Sequence, residues 1–81
     1  MTVKLFDTEI KQIKKYGIGL GSNGQAIFGG DYVKDSNDSY YIVVWNAIER
    51  EFELDNLRTS IRKPITDTSL YRVVKAGEKI L

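Results

Sequence analysis

Hydrophobic residues in this chain recur mostly at every second position, in short runs broken by polar or glycine-bearing stretches, and this spacing predicts β-strands. The clearest run is Tyr40-Tyr41-Ile42-Val43-Val44-Trp45. Tyr40, Ile42 and Val44 fall on one side of it and Tyr41, Val43 and Trp45 on the other, so both sides are apolar and the run reads as a central strand covered on both faces. Arg50-Glu51-Phe52-Glu53-Leu54 alternates charge with hydrophobe and predicts a strand over 49–54. The polar cluster Asp35-Ser36-Asn37-Asp38 predicts the turn of a hairpin leading into the central run.

Two segments admit a second reading. Asn46 followed by Glu49 resembles a capping box, which would place a helix over 46–62, and Asp67 with Leu70, Val73 and Val74 would place one over 67–76. The strand reading fits both better. Ile48 and Phe52 would lie opposite Leu57 and Ile61 on a helix, and Gly77 weakens the second helix. Asp55 is then expected to cap a single turn over 56–61 that stops before Pro64, and strands are expected over 70–74 and 79–81. At the N-terminus a strand over 3–5 and a helix over 8–16, ended by Gly17, are expected.

Gly19, Gly21 and Gly24 have the spacing G-x-G-x-x-G of a dinucleotide-binding loop, but KQIKKY precedes them and QAIFGGDY follows. That context has neither a buried strand before the first glycine nor a helix after the third. Asn23-Gly24 between strand-like residues instead predicts a two-residue hairpin turn of type I′, with Ser22 facing Gln25, Leu20 facing Ile27 and Gly19 facing Phe28. No cofactor is expected.

The fold class that follows is mainly β: a single domain over 1–81, built as a small antiparallel sheet or barrel with one or two short helices. The alternative is α+β with a helix at 46–62 or 67–76. Eighty-one residues leave room for one core. The apolar content of 42% suits a folded chain. The N-terminal residues carry Lys4, Asp7 and Glu9 where a signal peptide would be apolar, so a cytoplasmic protein with no membrane partner is expected.

Composition also narrows the chemistry. Histidine and cysteine are both absent, which removes imidazole and thiolate nucleophiles, bases and metal ligands. Glu49, Glu51 and Glu53 would line one face of a strand and could act as paired acids or hold Mg²⁺, but an exposed acidic row is ordinarily a solvated face. Asp35, Asn37 and Asp38 lack the loop length of a calcium site. An enzyme is therefore not expected. Net charge is only +1, yet residues 31–55 hold seven acids against Lys34 and Arg50, while residues 56–81 are basic.

Tyr16-Gly17-Ile18-Gly19, Val43-Val44-Trp45 and Phe52-Glu53-Leu54-Asp55-Asn56-Leu57 together resemble the small SH3-like or Tudor-like β-barrel superfamily over residues 16–62. The resemblance implies a strand ending in an aromatic before a tight turn, a strand of the form F-x-L, and one 3₁₀ turn before the last strand. It also implies a non-enzymatic module that docks a peptide or nucleic acid against an aromatic groove.

The expected function is protein–protein interaction, by a small regulator or inhibitor of a larger partner of the kind frequent in phages and bacterial mobile elements. Tyr32, Tyr40, Tyr41 and Trp45 are the candidate anchors, since Tyr and Trp are common interface residues, and Glu49, Glu51 and Glu53 would meet a basic partner. Residues 40–45 could also extend a sheet into a homodimer, giving a structural protein. The alternative partner is nucleic acid, held by Lys11, Lys14, Lys15, Arg58, Arg62 and Lys63 with an exposed aromatic for stacking.

Overall fold

A computed structural model describes residues 17–80 and shows a mainly β fold. The strands are β1 (Gly19–Leu20), β2 (Ala26–Ile27), β3 (Tyr32–Asp35), β4 (Tyr40–Asn46), β5 (Glu51–Asn56), β6 (Arg62–Pro64) and β7 (Tyr71–Val73), with one 3₁₀ turn, η1 (Thr68–Leu70), before β7. β1 and β2 form a hairpin, and the other five strands form one antiparallel sheet in the order β6-β5-β4-β3-β7. The expected strand over 3–5 and helix over 8–16 lie outside the described residues. Neither alternative helix forms: 46–62 is a turn, β5 and a second turn, and 67–76 is η1 and β7.

β4 is the middle strand of the five, as its two-sided apolar pattern predicts. Register and alternation then divide the sheet into two faces. Val33, Tyr41, Val43, Leu54, Tyr71 and Val73 share the inner face, where Val33 pairs with Tyr41 and Val73, and Val43 with Leu54. Together with Ile27 from the β1–β2 hairpin they make the buried core. Fully burying each such aliphatic side chain contributes about 1.5–3 kcal/mol. The outer side of β4 departs from the expectation, because Tyr40, Ile42 and Val44 there are half-buried and stand outside that core.

The turns explain why the chain reverses where it does. Asn46 Oδ1 accepts hydrogen bonds from the backbone N–H groups of Ile48 and Glu49, both at 3.1 Å, so the residue that resembles a helix cap instead caps a four-residue turn. Asn56 repeats the device ten residues on, accepting from Arg58 N at 2.9 Å and Thr59 N at 3.1 Å. Each turn closes with a left-handed residue, Arg50 at φ 54° and Ser60 at φ 60°. Asn56, not Asp55, is thus the cap. The turn hands the chain to β6, a strand that the proline had hidden.

The first hairpin forms at Asn23-Gly24 in a register one residue from that expected: Gly19 pairs with Ile27 and Leu20 with Ala26. Only Gly24 has positive φ, 79°, whereas a type I′ turn would need Asn23 there as well. A three-residue loop results, with Gly21 N donating to Gln25 O at 2.9 Å and Gly24 N to Gly21 O at 3.0 Å. The other two glycines are demanded by close approach. A Cβ on Gly19 would lie 2.6 Å from Thr68 Oγ1, and one on Gly21 would lie 2.6 Å from the Tyr71 carbonyl oxygen.

In the tail, the Asp67 side chain caps η1 by accepting from Ser69 N at 3.0 Å. The chain then enters β7, and residues 79–80 form no strand. Among the described residues no helix is long and apolar enough to cross a membrane.

Candidate partner-binding face

The outer face of the five-stranded sheet gathers several of the candidate residues. Tyr32 of β3 lies opposite Ile42 of β4, which lies opposite Asp55 of β5, which lies opposite Arg62 of β6. Tyr40 lies opposite Lys34, Val44 opposite Glu53, and Asn46 opposite Glu51. An apolar stripe of Tyr32, Ile42 and Val44 therefore runs beside an acidic stripe of Glu51, Glu53 and Asp55. Tyr32 is 44% exposed, and Lys34 Nζ sits 5.6 Å from the Tyr40 ring centroid.

Strand alternation splits the remaining aromatic candidates away from this face. Tyr41 is 6% exposed and meets Tyr71 edge-on in the core at 5.7 Å between ring centroids. Trp45 is on the inner side too, tilted against Phe52 at 4.9 Å. Both act in packing. The three glutamates likewise separate, because Glu49 lies in the exposed turn before β5 while Glu51 and Glu53 stand on the outer face. Glu53 Oε2 accepts from Asn46 Nδ2 at 3.1 Å.

The basic candidates among the described residues do not converge. Lys11, Lys14 and Lys15 lie outside the described residues, and Arg58 projects from the turn after β5. Arg62 and Lys63 are neighbours on β6 and so point to opposite faces. Arg62 Nε pairs with Asp55 Oδ2 at 3.3 Å, while Lys63 Nζ lies 4.9 Å from the Tyr41 ring and 5.6 Å from the Tyr71 ring. Partial desolvation there acts to lower the Lys63 pKa, but the Tyr71 and Tyr41 hydroxyls outweigh it and raise the pKa above the ordinary lysine value.

The edges of the sheet are guarded. Alternation turns Arg62 and Pro64 of β6 outward, and proline has no N–H to offer a further strand. On β7 the Tyr71 carbonyl accepts from Ser22 N at 2.7 Å, the Tyr71 N–H donates to Thr68 O, and the Val73 carbonyl accepts from Arg72 Nη1 at 3.3 Å. Arg72 is itself clamped by Glu78 through two hydrogen bonds of 2.9 Å. β4 is paired on both sides, so its backbone has no free edge for a further strand.

Sequence reasoning missed two further features. Leu20 and Leu70, 62% and 57% exposed, belong to β1 and η1, which pack together. Beside Leu70 a cleft of about 410 Å³ is walled by Ser22, Lys34, Asp38, Ser69 and Arg72, and within it Lys34 pairs with Asp38 at 2.8 Å. No periodic signal marks either, because both arise where segments distant in sequence meet. Comparison with protein-family models, with characterised proteins and with solved structures yields no match, so the architecture and the surface together describe what kind of molecule this is: a small antiparallel β domain.

Proposed function

We propose that this protein is a non-enzymatic interaction module that docks a protein partner on the outer face of its five-stranded sheet. One observation carries the reading. β4 is apolar on both sides, yet among the described residues the buried cluster lies on one side, and Tyr32, Ile42 and Val44 on the other form an apolar stripe bordered by acids. An amphipathic aromatic on such a stripe is a typical anchor, and an acidic border selects a basic partner surface. The guarded edges favour docking on a face over strand addition. The 3₁₀ turn η1 before β7, a strand that returns to β3, agrees with the SH3-like order, and we retain that superfamily as part of this reading.

Tyr32→Ala tests it. Tyr32 lies outside the core, so thermal unfolding is expected to change by no more than a few °C, roughly the effect of ~0.5 kcal/mol. A protein captured from host lysate by the wild-type chain should be purified and titrated against both forms. A Kd at least about tenfold weaker for the variant, a loss of about 1.4 kcal/mol, supports the outer face. Equal affinity sinks it.

A further inference from the structure

Of the four asparagines in the chain, Asn23 is the one followed by glycine, and the pair sits at the exposed tip of the β1–β2 hairpin. Asn23 Oδ1 accepts from Gln25 N at 3.2 Å, so the side-chain amide is folded back toward the backbone that follows it. Gly24, at φ 79°, has no heavy atom beyond its chain neighbours within 4 Å of where a Cβ would stand. Its nitrogen therefore lies in an open turn, with no side chain of its own to block an approach. We propose that Asn23 is a modification site, at which the chain converts its own asparagine to isoaspartate and aspartate with water as co-reactant.

The Gly24 nitrogen, once its proton has passed to a solvent base, attacks Asn23 Cγ. A C–N bond forms, the Cγ–Nδ2 bond breaks, and the side-chain nitrogen takes a proton from solvent and leaves as ammonia. One water then opens the cyclic imide at either carbonyl, giving aspartate or isoaspartate with no change of oxidation state. Because the Gly24 N–H donates to Gly21 O at 3.0 Å, attack waits for that hydrogen bond to open, and the conversion is slow. The other asparagines are less suited. Asn46 and Asn56 each hold two backbone N–H groups through Oδ1, and Ala47 and Leu57 after them carry side chains. Asn37 precedes Asp38, whose carboxylate opposes loss of the adjoining amide proton. Isoaspartate routes the backbone through the side chain and so lengthens a three-residue loop by one methylene. That loop is pinned to β7, since Ser22 N donates to the Tyr71 carbonyl oxygen at 2.7 Å and a Cβ on Gly21 would lie 2.6 Å from that oxygen. The modified hairpin must therefore pull away from β7.

The full chain is incubated for days in mildly alkaline H₂¹⁸O buffer and mapped by peptide mass spectrometry, with isoaspartate identified by its labelling with an isoaspartyl methyltransferase. The expected result is ¹⁸O uptake with isoaspartate at Asn23, at least about tenfold faster than at Asn46 or Asn56, a difference of about 1.4 kcal/mol in barrier. The rate should rise with pH and vanish in Asn23→Gln, whose longer side chain closes the ring poorly. The isoaspartyl form, separated by ion exchange, is expected to melt about 4 °C or more below the unmodified chain, whereas Asn23→Asp, with the same charge on a normal backbone, stays within about 2 °C of it. An Asn23 that stays intact, reacts no faster than Asn46 and Asn56, or yields aspartate without isoaspartate overturns the proposal. An isoaspartyl form that melts with the unmodified chain overturns the release of the hairpin from β7.

Discussion

At the scale of single residues, short side chains set the backbone's path. Gly21 is the sharpest case, since the Tyr71 carbonyl oxygen lies 2.6 Å from where a Cβ would stand and that same oxygen receives the Ser22 N–H. Gly21→Ala must push the hairpin off β7, and it is expected to lower unfolding free energy by about 2 kcal/mol or more in urea titrations. Carboxylates set the acid limit. The Arg72 guanidinium and the Lys75 N–H hold the Glu78 carboxyl at about 2, below its ordinary 4.5. At Asp35 desolvation acts to raise the pKa, but the Ser39 N–H, the Tyr41 hydroxyl and the Asn37 N–H outweigh it and lower the value. A carboxylate whose pKa is depressed on folding contributes stability that is whole above its unfolded pKa and is lost as pH falls through the folded one. Melting temperature should therefore hold near pH 6 and fall between about pH 4.5 and 2, and Glu78→Gln should flatten that fall.

At the scale of elements, the repeated asparagine turns carry the meander. Asn56→Ala removes two hydrogen bonds to backbone N–H groups and is expected to cost about 1 kcal/mol, with Asn56→Asp retaining most of it, as chemical denaturation would report. Much of this level was legible in the sequence. The two-sided run of β4, the alternation of β5 and the polar turn at Asp35 each carry a local signal that matches the final structure. What escaped was decided by subtler chemistry. Asn46 presents one capping signature to both a helix and a tight turn, and only the alternation after it separates the two. Pro64 discouraged a strand, yet an edge strand tolerates it because its nitrogen faces away from β5. The hairpin register shifted because Asn23 keeps an ordinary φ while Gly24 alone takes the left-handed one.

At the scale of the whole molecule, the candidate surface was half legible. Acids and tyrosines could be picked out by type, but which of Tyr40 and Tyr41 faces outward depends on the side of the sheet that the β1–β2 hairpin covers. That choice arises only when distant segments assemble. Among the described residues, the bases Arg62, Lys63 and Arg72 are dispersed by the same assembly onto two faces and into ion pairs. An electrophoretic titration with a 20-nucleotide single strand at low salt should accordingly show no band shift up to micromolar protein; a shift abolished by Arg58→Ala with Arg62→Ala would restore the nucleic-acid alternative.

The return of β7 to β3 has a temporal consequence. Tyr71 and Val73 complete a core whose other members are mostly in place by Leu54, and their strand pairs with Val33, laid down some forty residues earlier. During synthesis the hairpin and the meander both emerge before the strand that completes their shared core. Closure of that core waits for Tyr71 and Val73 to leave the ribosome, because their strand supplies the pairing partner of β3.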